Sequence, residues 1–534
     1  MAARRGIPEA CTAIAGAAAG PADFAAGIET EVKLATTAAG LVQALEWPPF
    51  AAGTGTGSRL LRSIYFDTAN RDLLAQGIVL RIRTSDNADP VLTLKQPAHG
   101  RHGPFHRLES EVPAPGMTPM LALFGPDIAA ELLGITGGQP LEAQFETRVT
   151  RQTRHITSGG AEIEAAFDNG VVVLPEVKEL PLCEIELELK SGDAGSLYDL
   201  ARAAVDALPL TLDVASKSQK GFQLKSGKPP SAEKSAALDL DRSAAFEQMM
   251  IRVLSSSTLQ FISNWAPLHQ TDEAEPIHQM RVSLRRMRTA LKIFGHVLHF
   301  SEFGELRAEA KRLATALGKA RALDAFRGNA RKGPLTSAVR AAGCEALMKR
   351  IEQHRKPAYA AARALIASKA TTDFVLRIES ILARHAWRDD SNITGHDLLD
   401  ETARSFAAAT LERLRRRVLK RGRKLRKRSE EERHSLRIAL KDLRYTMEFS
   451  AGLFGHSRRL QRWLSKVAVL QEILGARNDA MSTAQLLQDL VAGAPAETVR
   501  AAGFVMGWEA HGLLHSEDEL HAAWEDFKSL KPFW

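Results

Sequence analysis

Cysteine is nearly missing from these 534 residues: Cys11, Cys183 and Cys344 are the whole supply. Scattered and odd in number, they exclude a disulfide framework and point to a reducing compartment. Aromatic residues make up only 6%. No apolar run approaches the length of a membrane span, which argues against a helical membrane protein. The stretch Met1 to Phe24 also lacks the bulky apolar segment of a secretion signal. It is Ala- and Gly-rich, carries Arg4 and Arg5, and reads as a poorly ordered extension over residues 1–24. What remains is globular composition, 45% hydrophobic and 25% charged, in a chain too long for one ordinary core. The net charge of +8 favours polyanionic partners without naming one.

Two regimes follow one another along the chain. To about Leu224, apolar and charged residues alternate at period two between Gly, Pro, Asn and Asp turns, a β-rich pattern. A polar, proline-bearing stretch from Ser226 to Ser235 opens a linker. From Ser243 onward, apolar residues at three- and four-residue spacing predict helices. The expected division is a β domain at 25–225, a linker at 226–242, a helical domain at 243–520 and a tail at 521–534. The helical part contains a repeat, with copies near 243–330 and 400–485. His278, Arg281, Arg285 and Arg288 recur as His434, Arg437, Lys441 and Arg444 at one constant offset of 156 residues. Met280, Leu284, Met287 and Leu291 recur as Leu436, Leu440, Leu443 and Met447, so both faces of one helix are copied.

In the β part, charge is sorted by strand. Glu29, Glu31 and Lys33 share one face; so do Arg81 and Arg83, Thr93 and Lys95, then Arg107, Glu109 and Glu111, then Glu184, Glu186, Glu188 and Lys190. One reading is an antiparallel sheet with a solvated charged face. Against it, carboxylates crowded on one face and cations on another repel unless something neutralises them, a divalent cation for the first and an anion for the second.

Glu29-Thr-Glu31-Val-Lys33 resembles the ExExK signature of the CYTH family, the triphosphate tunnel metalloenzymes. Tyr65-Phe66-Asp67-Thr68, Leu80-Arg81-Ile82-Arg83, Thr93-Leu94-Lys95, Arg107-Leu-Glu109-Ser-Glu111, Asp168-Asn-Gly170, Glu184 to Lys190 and Ser216-Lys217-Ser218 follow in that family's order. The resemblance implies an α+β multidomain chain with an N-terminal eight-stranded antiparallel β-barrel, polar inside, and flanking helices. It implies that Glu29, Glu31, Glu109, Glu111, Glu186 and Glu188 hold or orient Mg²⁺ or Mn²⁺. Arg81, Arg83, Lys95, Arg107, Arg151 and Lys217 would grip phosphates, with Glu29, Glu31 and Lys33 at the chemistry. Acidic neighbours favour the charged form of Lys33, so it is expected to position water more than to deprotonate it. Asp168 reads as a turn former before Gly170, and Arg148 and Arg154 as surface charges.

On the helices, positions 278, 281, 285, 288 and 292 form a cationic stripe beside the apolar one. Arg413 to Arg428 holds eleven Lys and Arg and no acid. A basic run is often just solvated or a nonspecific nucleic-acid surface. Base-stacking aromatics are sparse, however, with Tyr445 alone within the repeats, which favours an anion without bases. These repeats resemble CHAD, the conserved-histidine α-helical domain, which implies two related helical bundles around a basic channel for inorganic polyphosphate. Carried over as binders are His278, Arg281, Arg285, Arg288, His434, Arg437, Lys441 and Arg444, with Arg416, Lys420 and Arg423 from the basic run.

The expectation is a cytoplasmic inorganic triphosphatase that also binds polyphosphate and associates with polyphosphate granules, with no membrane and no nucleic acid as partner. The alternatives are a polyphosphate-binding scaffold of weak or no catalysis, or a related reaction such as adenylate cyclase or thiamine triphosphatase.

Overall fold

The computed structural model describes residues 27–86, 88–97, 104–174, 178–238, 240–332, 336–337, 344–390, 397, 399, 401–455 and 457–534. The expected extension at 1–24 lies outside the described residues. Nine strands make one sheet: β1 (Gly27–Ala35), β2 (Thr54–Asp67), β3 (Val79–Ser85), β4 (Ala88–Pro97), β5 (His106–Pro113), β6 (Glu142–Ser158), β7 (Ala161–Val173), β8 (Glu179–Ser191) and β9 (Thr211–Leu212). They run in the order β5-β4-β3-β2-β6-β7-β8-β1-β9, and β5 pairs again with β1. That pairing closes eight antiparallel strands into a barrel and leaves the short β9 attached to β1 outside the ring. Closure leaves those eight strands no long free edge.

Period two decides which way each side chain points. Val32, Leu34, Ile185 and Leu187 are fully buried on the outer face. They join Tyr198 and Leu200 of the Ala194–Ala207 helix in one core cluster. On the other flank Leu80, Ile82, Leu92 and Leu94 pack beneath Leu132 of the Pro126–Thr136 helix. With its apolar faces turned out under helices, the barrel keeps its charged faces for the lumen. β7 runs straight through Asn169-Gly170 instead of turning there, so Asp168 is a buried strand residue. Gly170 is needed for proximity, because a Cβ there would stand 2.1 Å from the Arg148 carbonyl oxygen on β6. Arg148 is exposed and paired with Glu146, and Arg154 lies over Gly55.

After the barrel the described chain is helical. The two repeat helices are Ala274–Leu298 and Glu430–Phe449. All eight of their repeated apolar residues, Met280 to Leu291 and Leu436 to Met447, are at most 2% exposed. The second copy starts from a capping box, with Ser429 and Glu432 satisfying each other's backbone amides. The connector packs closely: Leu240 is buried, and the Glu233 amide donates to Asn264 Oδ1 at 3.1 Å while Asn264 Nδ2 donates to the Glu233 carbonyl at 2.9 Å. The last helix runs Ala496–Lys528, and Phe533 and Trp534 pack on Trp463.

The barrel and the helices meet along Ala194–Ala207 and Lys369–Arg384. Asp193 caps the first helix through the amides of Gly195 and Ser196 and also accepts from Arg384 Nε at 2.8 Å. Arg202 Nε donates to Asp373 at 2.7 Å. Beneath this charged seam one hydrophobic cluster runs without interruption from Val32 in β1 to Phe527 in the last helix.

Candidate functional site

Strand register sets the chemistry of the lumen. Glu31 stands directly opposite Glu188, and Glu188 opposite Glu164, so three carboxylates lie abreast on β1, β8 and β7. Lys33 faces Glu186, Glu29 faces Arg107, and Lys95 faces Glu109. All of these, with Arg81, Arg83, Glu111, Arg151 and Lys217, line one cavity of about 250 Å³. The charged rows therefore point inward toward a shared space.

The two sides of that space differ. Lys217 is the first residue of the Lys217–Ser226 helix, set by a capping box between Ser216 and Gln219. Its Nζ reaches Asp168 at 2.7 Å, Glu184 at 2.5 Å and Glu186 at 2.8 Å. Arg151 donates to both oxygens of Asp168 and to Glu186. Lys220 reaches Glu184 and Asp213, each at 2.6 Å. Burial favours the neutral acids, but Lys217, Lys33 and Arg151 outweigh it and hold Glu186 well below the usual carboxylate range. Asp168, Glu184 and Glu186 lie close enough to share an ion, yet their charge is already matched by protein cations.

Glu29, Glu31 and Glu188 are less well served. Lys95 donates to both oxygens of Glu29 at 2.7 and 2.8 Å, Lys33 pairs with Glu31, and Lys190 reaches Glu188 at 2.7 Å. Burial, reinforced by Glu29 and Glu31, still pushes Glu188 up against the pull of Lys190. Like charges directly across a ladder are destabilising, and oxygen-only donors crowded this way fit a hard divalent cation. Lys33 is driven the opposite way: burial lowers it, but Glu31 and Glu186 more than compensate, so it stays protonated.

The cationic wall seeks an anion. Burial, with Arg81 and Arg151 beside it, lowers Arg83 to about 10. Its guanidinium Nε donates to the Ser63 hydroxyl at 3.3 Å. Arg81 is better compensated, by Tyr65, Glu109 and Glu111. Glu111, its side chain 47% exposed, sits at the rim.

In the helical part the two repeat copies contribute to one cation cluster. Lys441 is lowered to about 6 by burial and then by Arg285 and Arg437, with Arg281 also near. Burial, Arg285, Arg321 and Arg288 lower Arg281 to about 10. His278 is lowered by burial and by Arg321. His434 Nδ1 is 2.7 Å from Asn478 Oδ1, and Arg437 lies 3.8 Å from Asp479. Arg444 is tied to Glu448 at 2.8 Å, and burial with Arg307 lowers Arg288. The basic run divides by face: Arg413 and Arg417 line a cavity of about 460 Å³ with Lys292, Arg307 and Asp442. Arg416 is 77% exposed and bound to Glu412, while Lys420 and Arg423 lie with Lys424 around Trp524. Of the run, Arg416, Lys420 and Arg423 are thus not brought to that cavity.

A family model described as the CYTH domain matches residues 27–222, and one described as the CHAD domain matches residues 252–488. The chain joins a CYTH domain to a CHAD domain. It is 33% identical over 171 residues to an inorganic triphosphatase of Haemophilus influenzae, covering 31% of this chain and 46% of that protein. It is 27% identical over 285 residues to the uncharacterized protein Rv2226 of Mycobacterium tuberculosis, covering 49% of this chain and 51% of that protein. The chain thus spans about half the length of these curated relatives. A crystal structure of the CHAD domain from the plant Ricinus communis superposes with a TM-score of 0.50 at 26% identity, over 56% of this chain and 98% of that one. Among the described residues no helix is long and apolar enough to cross a membrane.

Sequence reasoning missed Glu164 in the CYTH lumen and, within the basic run, passed over Arg413 and Arg417, which line a CHAD cavity. Glu164 could have been found, since it is two and four residues before Ala166 and Asp168 on one strand face. Arg413 and Arg417 carry the i, i+4 spacing that separates them from Arg416.

Proposed function

We propose that the CYTH barrel hydrolyses inorganic triphosphate to pyrophosphate and phosphate with Mg²⁺ or Mn²⁺. One observation carries this reading: an acidic row (Glu31, Glu188, Glu164) and an underpaired cation, Arg83, border the same 250 Å³ lumen. Arg81, Arg83, Lys95 and Arg107 neutralise and align the phosphates. Glu29, Glu31 and Glu188 would hold the metal, with Glu109, Glu111 and Glu186 orienting it or the cations around it. When bound, the metal offsets charge developing on the transferred phosphoryl group. Lys33, kept charged by Glu31 and Glu186, positions the attacking water instead of deprotonating it. Lys217 and Arg151 brace the acidic side, and both become available to phosphate oxygens that displace a carboxylate.

The CHAD domain, in this reading, binds inorganic polyphosphate through the cluster of His278, Arg281, Arg285, His434, Arg437 and Lys441, continued past Arg288 by Arg307, Arg413 and Arg417 of the adjoining cavity. It recruits substrate or holds the protein on polyphosphate granules in the cytoplasm. The test is phosphate release from tripolyphosphate by the full chain, with Glu29→Ala and Glu31→Ala as comparisons. Activity that needs divalent metal and collapses in both variants supports the proposal; undiminished activity in chelator overturns it.

A further inference from the structure

The barrel closes on its shortest ladder. Among the described residues β1 pairs with β5 only over Gly27–Thr30 against His106–Glu109, less than any other neighbouring pair in the ring of eight. The Glu31 amide adds one bond, to the Phe105 carbonyl at 3.0 Å. Much of the acidic site hangs on this seam. Glu29 stands opposite Arg107 across it, Glu109 lies at one end and Glu31 just past the other. Opening it would spread carboxylates that are to share one ion.

A line of buried polar groups enters the seam from behind. Thr30 alternates with Glu29 and Glu31, so its side chain points away from the lumen, where it is buried. Its Oγ1 lies 2.9 Å from His106 Nδ1, which ties side chain to side chain across the pair that ends the ladder. The other ring nitrogen, Nε2, lies 3.4 Å from the hydroxyl of Tyr198, a fully buried residue of the Ala194–Ala207 helix. Buried hydroxyls and imidazole are costly unless their hydrogen bonds are kept. Such bonds are directional, so they fix register where the backbone ladder is short.

Behind Tyr198 stands the CHAD domain. The Ser380 hydroxyl donates at 3.1 Å to Asp199, the residue after Tyr198. Buried Glu379, the residue before Ser380, acts on the phenol itself. Burial and then that carboxyl hold Tyr198 well above its ordinary range, so it remains a neutral hydroxyl.

Resting on the triphosphate-tunnel reading, we propose that His106 and Tyr198 are positioning residues. They lock the β1–β5 seam, set the spacing of Glu29 and Glu31 for a divalent cation, and are themselves held in place by the CHAD domain. The helical half thus tunes the metal affinity of a lumen to which, among the described residues, it contributes no side chain.

Two readouts on the full chain test this: Mn²⁺ binding followed by paramagnetic resonance, and amide hydrogen exchange at Glu31 without metal. Thr30→Val and Tyr198→Phe each remove one hydroxyl and keep the shape. Each is expected to weaken Mn²⁺ binding about tenfold and to speed exchange at Glu31. Thr30→Ser, which keeps the hydroxyl, should do neither. The two hydroxyls meet through His106, so the double change is expected to be no worse than the worse single one. Arg384→Ala, at the charged edge of the domain seam, should weaken Mn²⁺ binding about threefold and add nothing in Tyr198→Phe. Additive hydroxyl changes, or Mn²⁺ binding unaltered by them, overturn the lock. Unaltered binding in Arg384→Ala overturns the part given to the CHAD domain. Glu31→Gln tests the reading underneath: if Mn²⁺ binding ignores it, the metal assignment fails instead, and exchange at Glu31 in the hydroxyl variants alone decides the lock.

Discussion

Lys441 has a charge state that depends on its company. Burial, Arg285 and Arg437 bring it to about 6, so without ligand it is neutral through most of the range up to its ordinary value near 10.5. A bound polyphosphate reverses the local potential, and binding at pH 8 should take up as much as about one proton. Calorimetry in buffers of different ionisation enthalpy reads this directly; a heat independent of buffer would count against it. Glu379, in the seam between the domains, is pushed by burial to about 8, opposed by a hydrogen bond with Thr258. A raised carboxyl favours the fold while protonated. Its contribution is present below the ordinary carboxylate range and is lost as pH climbs toward 8. Glu379→Gln should therefore stabilise the protein more at pH 8 than at pH 5, by ~1–3 kcal/mol, seen as a larger gain in melting temperature at the higher pH. In the lumen, Glu188→Gln removes one of three crowded acids. It is expected to raise the metal concentration needed for half-maximal activity by ~10–100-fold.

At the scale of elements, faces matter more than totals. The Ala403–Arg421 helix buries Phe406, Leu411, Leu414 and Val418 on one face and carries its cations on the others, but Arg417 lines the basic cavity beside Asp442 whereas Arg416 stands in water beside Glu412. Arg417→Ala should weaken polyphosphate binding about tenfold, while Arg416→Ala, which breaks an exposed ion pair worth ~0–1 kcal/mol, leaves it nearly unchanged. Equal effects in a titration would mean that the run acts as diffuse charge. The strands and the repeat helices were legible beforehand because period two and period 3.6 are written in side-chain polarity, as in Glu29 to Lys33 and Met280 to Leu291. The inward direction of the charged rows was legible only through their sorting by sign. Register was not: nothing local reveals that Glu31 meets Glu188 and not Glu186, since pairing is fixed by partners some 150 residues away. Asn169-Gly170 misled for a related reason, as its glycine answers to the carbonyl of Arg148 across the ladder and not to a turn.

For the whole molecule, one continuous cluster of buried side chains runs from Val32 to Phe527 across the two family domains. Thermal unfolding is expected as a single calorimetric transition, and two resolved transitions would show the halves to be independent. Replacing Gly422 with Ala, whose Cβ would stand 2.1 Å from the Trp524 ring, should lower that one transition by ~1–3 kcal/mol of stability. The Ala194–Ala207 helix rests on the barrel with one side and on Lys369–Arg384 with the other. Severed after Ser226, the N-terminal fragment would carry away a surface shaped for a neighbour it had lost, and would tend to stick to itself before anyone could assay it. The labour of the two halves is better divided with point changes in the lumen and in the cation cluster than with scissors.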